Sequence, residues 1–248
     1  INSPWSGIAQ GKGVTELASQ VSCLAEFAER CALPPGKNSN GAAAGNTRGE
    51  AIIQGACEIF ERYYMYQSTM EGIIYPTVDP LSIEDLWISE LYFWFMKKGY
   101  KMYIKHLSDD IPTYGVYWEN CKKELNDPTR YSYTVGTSFN SYVALKRAFM
   151  EKFQVLYDTE GIAMNIEDPV LDILMNGRTI LDTNHLMKGP LVKYESKRHD
   201  HLSDDLAELQ AILEMTNREI SIIDHPHDYL SVVEVRITGM MNMFGEEN

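Results

Sequence analysis

The stretch from Asn40 to Tyr64 constrains this chain most. Thr47 followed by Glu50 is a capping box, in which each side chain satisfies a free backbone N–H of a first helical turn. Beyond it Glu50, Gln54, Glu58 and Glu61 recur at spacings of four, four and three, so a helix points all four one way. Ile52, Ile53, Ala56, Cys57, Ile59 and Phe60 fill the remaining faces. A solvated helix face mixes Glu with Lys; this one holds no Lys, and its arginines stand near its ends. Like charges at this spacing destabilise an isolated helix by about 0.2–0.5 kcal/mol, and half-buried carboxylates without a partner cost more. The bland reading is an acidic solvated face. The sharper one is a face that waits for a cation.

A second helix repeats the pattern. Thr15 can cap a helix reaching about Cys31, with Leu17, Val21, Leu24 and Ala28 as its apolar side and Ser19, Ser22, Glu26 and Glu29 as its polar side. Glu26-Phe-Ala-Glu29-Arg30 matches Glu58-Ile-Phe-Glu61-Arg62, so the two helices read as two walls of one site. Leu33-Pro-Pro-Gly36 stops the first helix. In Gly11-Lys12-Gly13 the run is too short for a Walker loop, and Lys12 reads as an exposed loop lysine.

Ser82 to Gly99 reads as an amphipathic helix, capped by Ser82 with Asp85 at its third position, and with Leu86, Trp87, Leu91, Phe93, Trp94 and Phe95 as core. Tyr100–Leu107, Thr113–Trp118 and Tyr131–Thr137 read as strands, the first half-buried and antiparallel with its lysines outward. Helices are expected over Ser141–Tyr157, Pro169–Asn176 and Asp204–Met215, and strands over Glu219–Asp224 and Leu230–Thr238. In the first of these helices Arg147, Glu151 and Gln154 share a face, and Arg147 with Glu151 alone reads as an intrahelical salt bridge. His199, His201, His225 and His227 read as solvated loop histidines, because no Cys or His-Glu-x-x-His helix accompanies them.

The chain of 248 residues, 44% hydrophobic and 11% aromatic, can bury a proper core. A formal net charge of -13 argues against a general nucleic-acid binder. No apolar run has the length of a membrane span, and no leader is visible. The four cysteines form no Cys-x-x-Cys pair; Cys23 and Cys57 read as buried free thiols, and a reducing cytoplasm is the expected compartment.

The Ser22…Glu26-x-x-Glu29-Arg30 helix, the Asn46…Glu50…Gln54…Glu58-x-x-Glu61-Arg62 helix and Arg147-Ala-x-x-Glu151 together resemble the YcaO family. The Val232–Gly239 strand resembles its closing strand. Gly11–Arg30 and Asn40–Arg62 are most like the members that assist methylthiolation of a small-subunit ribosomal protein.

The resemblance implies an α+β fold, mostly antiparallel sheet, with helices lining a site for ATP and magnesium. It assigns Glu26, Glu29, Glu58, Glu61 and Glu151 to the metal. Ser22, Asn46, Glu50, Gln54, Arg62 and Arg147 go to the nucleotide, and Arg147 and Glu151 to catalysis. It implies ATP-dependent activation of a peptide amide: a nucleophile adds to the carbonyl, the oxyanion is phosphorylated, and phosphate leaves to give an azoline, a thioamide or an amidine. The implied partners are a peptide or ribosomal-protein substrate and a methylthiotransferase, with a homodimer also open.

Three departures stand beside this. Only Cys31 to Gly45 separates the first two helices where the family has many tens of residues, so segments are expected to be missing near 31–40 and 189–190 of a single YcaO domain. The chain ends Phe-Gly-Glu-Glu-Asn248, without the Pro-rich tail of azoline-forming members, and it is shorter than the methylthiolation helper, so a further C-terminal domain is expected. Two other readings remain open. One is a non-catalytic nucleotide-binding partner protein. The other is a carboxylate-bridged dimetal helical protein, disfavoured because Glu-x-x-His pairs are absent.

Overall fold

The computed structural model describes residues 9–34, 37, 39–124, 127, 130–161 and 183–241, without the side chains of 154–161, 183 and 184. Helix Pro169–Asn176 and the tail beyond residue 241 lie outside the described residues. The chain divides into two compact units, Ile1–Tyr63 with His199–Asn248, and Tyr64–Arg198.

The first unit holds α1 (Glu16–Ala32), β1 (Ala42–Gly45) and the start of α2 (Arg48–Thr69). Further along the chain it holds α5 (Leu202–Met215), β7 (Ile220–His225) and β8 (Ser231–Ile237). β8 lies between β1 and β7, antiparallel to both, with Ala42 opposite Glu234 and Ile222 opposite Val235. The capping box forms as the sequence predicts. Glu50 Oε2 accepts from the Asn46 and Thr47 N–H groups at 2.9 and 3.3 Å, and Thr47 Oγ1 from the Glu50 N–H at 3.2 Å. Arg48 adds a two-pronged ion pair to Asp224, at 2.7 and 3.0 Å. Ala51, Ile52, Ile53, Ala56, Ile59 and Phe60 of α2 are buried, as are Val233, Val235 and Ile237 of β8.

The expected apolar side of α1 is a correction. Ala28 is buried, but Leu17, Val21 and Leu24 face solvent. The polar side of α1 turns inward instead, carrying its carboxylates toward the first unit.

The second unit is a five-stranded sheet in the order β5-β4-β3-β2-β6. β3 (Tyr100–Ser108), β4 (Thr113–Asn120) and β5 (Tyr131–Thr137) are antiparallel neighbours, within one or two residues of their expected bounds. The short β2 (Thr77–Val78) pairs antiparallel with β3 and parallel with β6 (Leu191–Val192), which makes the sheet mixed. α3 (Leu86–Lys98) and α4 (Ser141–Gly161) supply Ile88, Phe95, Ala144, Leu145, Ala148 and Phe149 to a core shared with Ile104, Val116 and Trp118.

Three expectations change here. Asp85, not Ser82, caps α3, accepting from the Ile88 N–H at 3.0 Å; Pro80–Ser82 is a 3-10 turn, and Ser82 Oγ bonds the Asp79 carbonyl instead. This moves the buried face of α3 to Ile88 and Phe95, and leaves Leu86, Phe93 and Trp94 exposed. On β3, Lys105 is not outward but buried, its Nζ bonded to Thr77 Oγ1 at 2.8 Å and to the Lys188 carbonyl. Burial brings its ammonium down to about 8.

At Gly136 a β-carbon would stand 2.3 Å from the Ala144 carbonyl oxygen and 2.5 Å from the Ala148 nitrogen. Glycine there is what lets α4 lie directly on β5. No helix among the described residues is long and apolar enough to cross a membrane. All four cysteines are free; Cys57 is buried, and Cys23 is only half-buried.

Candidate functional site

The polar faces of α1 and α2 meet in the first unit. Glu29 accepts the Ala44 N–H of β1 at 2.9 Å, and Glu26 accepts the Gln10 N–H at 3.0 Å. Glu26 pairs with Arg30 at 3.6 Å and Glu58 with Arg62 at 3.5 Å, each one helical turn on. The Glu29 carboxyl is pushed up from its ordinary value to about 7. Burial is the main cause, the Ala44 hydrogen bond opposes it, and the charges of Glu58 and Glu26 add to it. Glu58 is likewise raised by burial, against the pull of Arg62, Arg30 and Lys12. Carboxylates from two helices therefore sense one another.

Lys12 is where sequence reasoning missed. It is half-buried, not exposed, and its charge acts on Glu58. The chain before α1 folds back onto that helix: Ser19 Oγ donates to the Gly11 carbonyl at 2.8 Å, and Cys23 Sγ lies 3.4 Å from the Ala9 carbonyl. A β-carbon on Gly11 would sit 1.8 Å from the Ser19 carbonyl oxygen, and one on Gly13 2.4 Å from the Ser19 nitrogen. The two glycines flanking Lys12 were the available signal: they permit this close approach.

Of the other expected residues, Ser22 is half-buried one turn before Glu26 on α1, and Glu61 is half-buried one turn after Glu58. Asn46 and Gln54 are exposed, and Glu50 is half-buried in its capping role. Arg147 and Glu151 belong to the second unit, both half-buried on α4, where Arg147 Nη1 donates to the Thr137 carbonyl at 2.9 Å.

Among the described residues no three His, Cys, Asp or Glu side chains group to hold a metal on their own. Magnesium is different, since it takes one or two carboxylates and completes its shell with phosphate oxygens and water. Two half-buried carboxyls, Glu29 and Glu58, near Lys12, Arg30 and Arg62 fit magnesium together with a phosphate ligand.

His201 is exposed as expected, whereas His199 and His225 are not solvated. His199 is held between Asp205 at 2.9 Å and Glu208 at 3.0 Å, and His225 lies on β7, 3.4 Å from the buried Glu234.

A protein of Haemophilus influenzae described only as uncharacterized is 27% identical over 221 residues, covering 83% of this chain. The Escherichia coli ribosomal protein S12 methylthiotransferase accessory factor YcaO is 25% identical over 238 residues, covering 85%. The chain spans 37% of the length of each of these two relatives. A heterocyclase solved with substrate and cofactor is 25% identical with a TM-score of 0.68, over 87% of this chain and 31% of its own. YcaO from Methanopyrus kandleri, solved with AMPPCP and Mg2+, shares the fold at 19% identity and a TM-score of 0.73, over 93% of this chain and 78% of its own. The family described as YcaO cyclodehydratase, ATP- and Mg2+-binding, matches residues 33–241. The chain thus belongs to the YcaO family, an ATP- and Mg2+-binding family with the α+β fold seen here.

Proposed function

We propose that this chain holds ATP and magnesium against the facing carboxylates of α1 and α2 and uses them to activate a peptide backbone amide. The observation that carries the reading is the Glu29 carboxyl, raised to about 7 beside Glu58 and Glu26. When ionised, these facing carboxylates are made tolerable by a divalent cation. Glu26, Glu29, Glu58 and Glu61 hold magnesium. Ser22, Asn46, Glu50, Gln54 and Arg62 contact the nucleotide, and Lys12 joins Arg62 on the phosphates. The family resemblance assigns catalysis to Arg147 and Glu151, which lie on α4 of the second unit.

When bound, ATP with magnesium supplies the phosphoryl group that turns an amide oxyanion into a leaving group. The protein's part is positioning and charge neutralisation. The guanidinium of Arg147 is fixed by the Thr137 carbonyl, a planar donor suited to phosphate oxygens. The substrate is a peptide or a ribosomal protein, and the compartment the cytoplasm. Thioamidation and azoline formation are the alternative outcomes of the same activation.

A second reading is a nucleotide-binding accessory role beside a methylthiotransferase. The E. coli relative, named as such an accessory factor, supports it. Calorimetry with a non-hydrolysable ATP analogue and magnesium tests the site, with Glu58→Gln as control; no binding refutes both readings. Release of ADP and phosphate that depends on added peptide supports the enzyme. Binding without turnover, in a protein that still captures a methylthiotransferase, supports the accessory role.

A further inference from the structure

One corner of the second unit gathers lysines, independently of the nucleotide reading. α3 ends in Lys97-Lys98, and Gly99 caps it in the left-handed region at φ 95°. The turn after β4 folds back on that end, where the Cys121 N–H donates to the Gly99 carbonyl at 2.9 Å. A β-carbon on Gly99 would sit 2.9 Å from Lys122 Cε, so the stem of that lysine lies over the cap. Lys123 comes next, and its carbonyl accepts from Arg130. Lys101, at the start of β3, is 3.9 Å from Glu119. Lys97, Lys98, Lys101 and Lys122 are exposed.

A helix C-terminus attracts cations, but it carries only about half a negative charge. Lys97, Lys98 and Lys122 exceed that severalfold. The corner holds six cations against Glu119, Glu124 and Asp127, a positive surplus in a chain of net charge -13. Like charges set this close repel one another. Beside them Phe93, Trp94, Met96 and Phe153 are exposed. The Trp94 and Phe153 rings stand 6.4 Å apart, and Lys98 Nζ lies 5.3 Å over the Trp94 ring, so basic and apolar surface are continuous.

Charge alone admits a nucleic acid or an acidic peptide. A single-stranded nucleic acid stacks its bases on open aromatic faces, and Lys98 already occupies one face of Trp94. A phosphate chain longer than the corner also meets the repulsion of an acidic molecule. A short segment that alternates carboxylates with apolar side chains matches both halves of the surface.

We infer that this corner docks an acidic peptide segment of a partner protein, with carboxylates on Lys97, Lys98 and Lys122 and apolar side chains on Phe93 and Trp94. Fluorescence anisotropy of the full chain with a labelled peptide of repeated Glu-Glu-Leu tests this. Saturable binding is expected, weaker by about tenfold when salt rises from about 50 to about 200 mM. A Glu-Glu-Ser peptide of equal length should bind about tenfold less tightly. Lys97→Glu with Lys122→Glu should weaken binding by about tenfold or more, with unchanged far-UV circular dichroism. Lys193→Glu, exposed elsewhere on the same unit, should leave it unchanged. Should the double variant fail to fold, Lys122→Gln on its exposed turn carries the same expectation at about threefold. Absence of binding, or equal binding by the charge-reversed variant, overturns the inference, as does a poly(U) strand that outcompetes the peptide at the same lysines.

Discussion

Glu29 of α1 accepts the backbone N–H of Ala44 at 2.9 Å, so one carboxylate both faces Glu58 and fastens the helix to β1. Its proton is the most accessible handle on the cleft.

The first prediction concerns pH. With a folded value near 7 against an ordinary 4.5, the folded protein holds a proton that the unfolded chain has lost, so stability falls as pH rises from about 4.5 to 7. Glu29→Gln keeps an oxygen for Ala44 and cannot ionise. Melting curves should show this variant to be the more stable above pH ~7, the gap closing toward pH ~5. A gap that does not change with pH contradicts the assignment.

Ligand binding should read out the same proton. A divalent cation with a phosphate ligand stabilises the ionised carboxylate, so binding near pH ~7 should release protons. Calorimetry in two buffers of different ionisation enthalpy measures this. Equal heats in both buffers contradict it.

Glu58→Gln and Glu61→Gln should lower nucleotide affinity in magnesium by about tenfold or more, and Glu58→Gln should not lower the melting temperature, because it removes a half-buried carboxylate whose charge acts against Glu29. Loss of fold in either variant would mean that the carboxylates serve structure instead.

Glu234 tests the opposite electrostatics. Burial would raise its carboxyl, but Lys37 and Arg236 outweigh that and hold it below the ordinary range. Its stabilisation is present at neutral pH and lost as acid protonates it. Glu234→Ala removes the buried acceptor of Lys37 and Arg236, and because water still solvates these part-exposed cations, urea unfolding should show a loss of about 1–3 kcal/mol.

Gly136→Ala should destabilise by about 2 kcal/mol or more, because the new methyl meets the backbone of α4 and not a yielding side chain. Unchanged stability would mean that α4 can lift from β5.

Much of the architecture was legible. The capping box, the three antiparallel strands and the pairing of two carboxylate-bearing helix faces follow from local chemistry and period. What was not legible depended on tertiary choice. The apolar side of α1 has a helix period whether its partner lies within the unit or outside it, so the sequence could not tell Leu17 in water from Leu17 in a core. Lys105 alternates like any outward lysine, and only the neighbouring Thr77 and the Lys188 carbonyl make its burial tolerable. Lys12 has no periodic signature at all; its position follows from glycines that let a loop lie against a helix. Four-residue β1 and the two-residue strands β2 and β6 were missed because they are too short to show alternation.

The Ala44 amide is a built-in reporter. Its hydrogen-bond acceptor is the very group whose charge depends on what fills the cleft, so isotope exchange at that single backbone position should slow when the carboxylate is ionised and neutralised by a bound cation. Occupancy could then be followed by magnetic resonance on one peak, with no label on nucleotide or substrate.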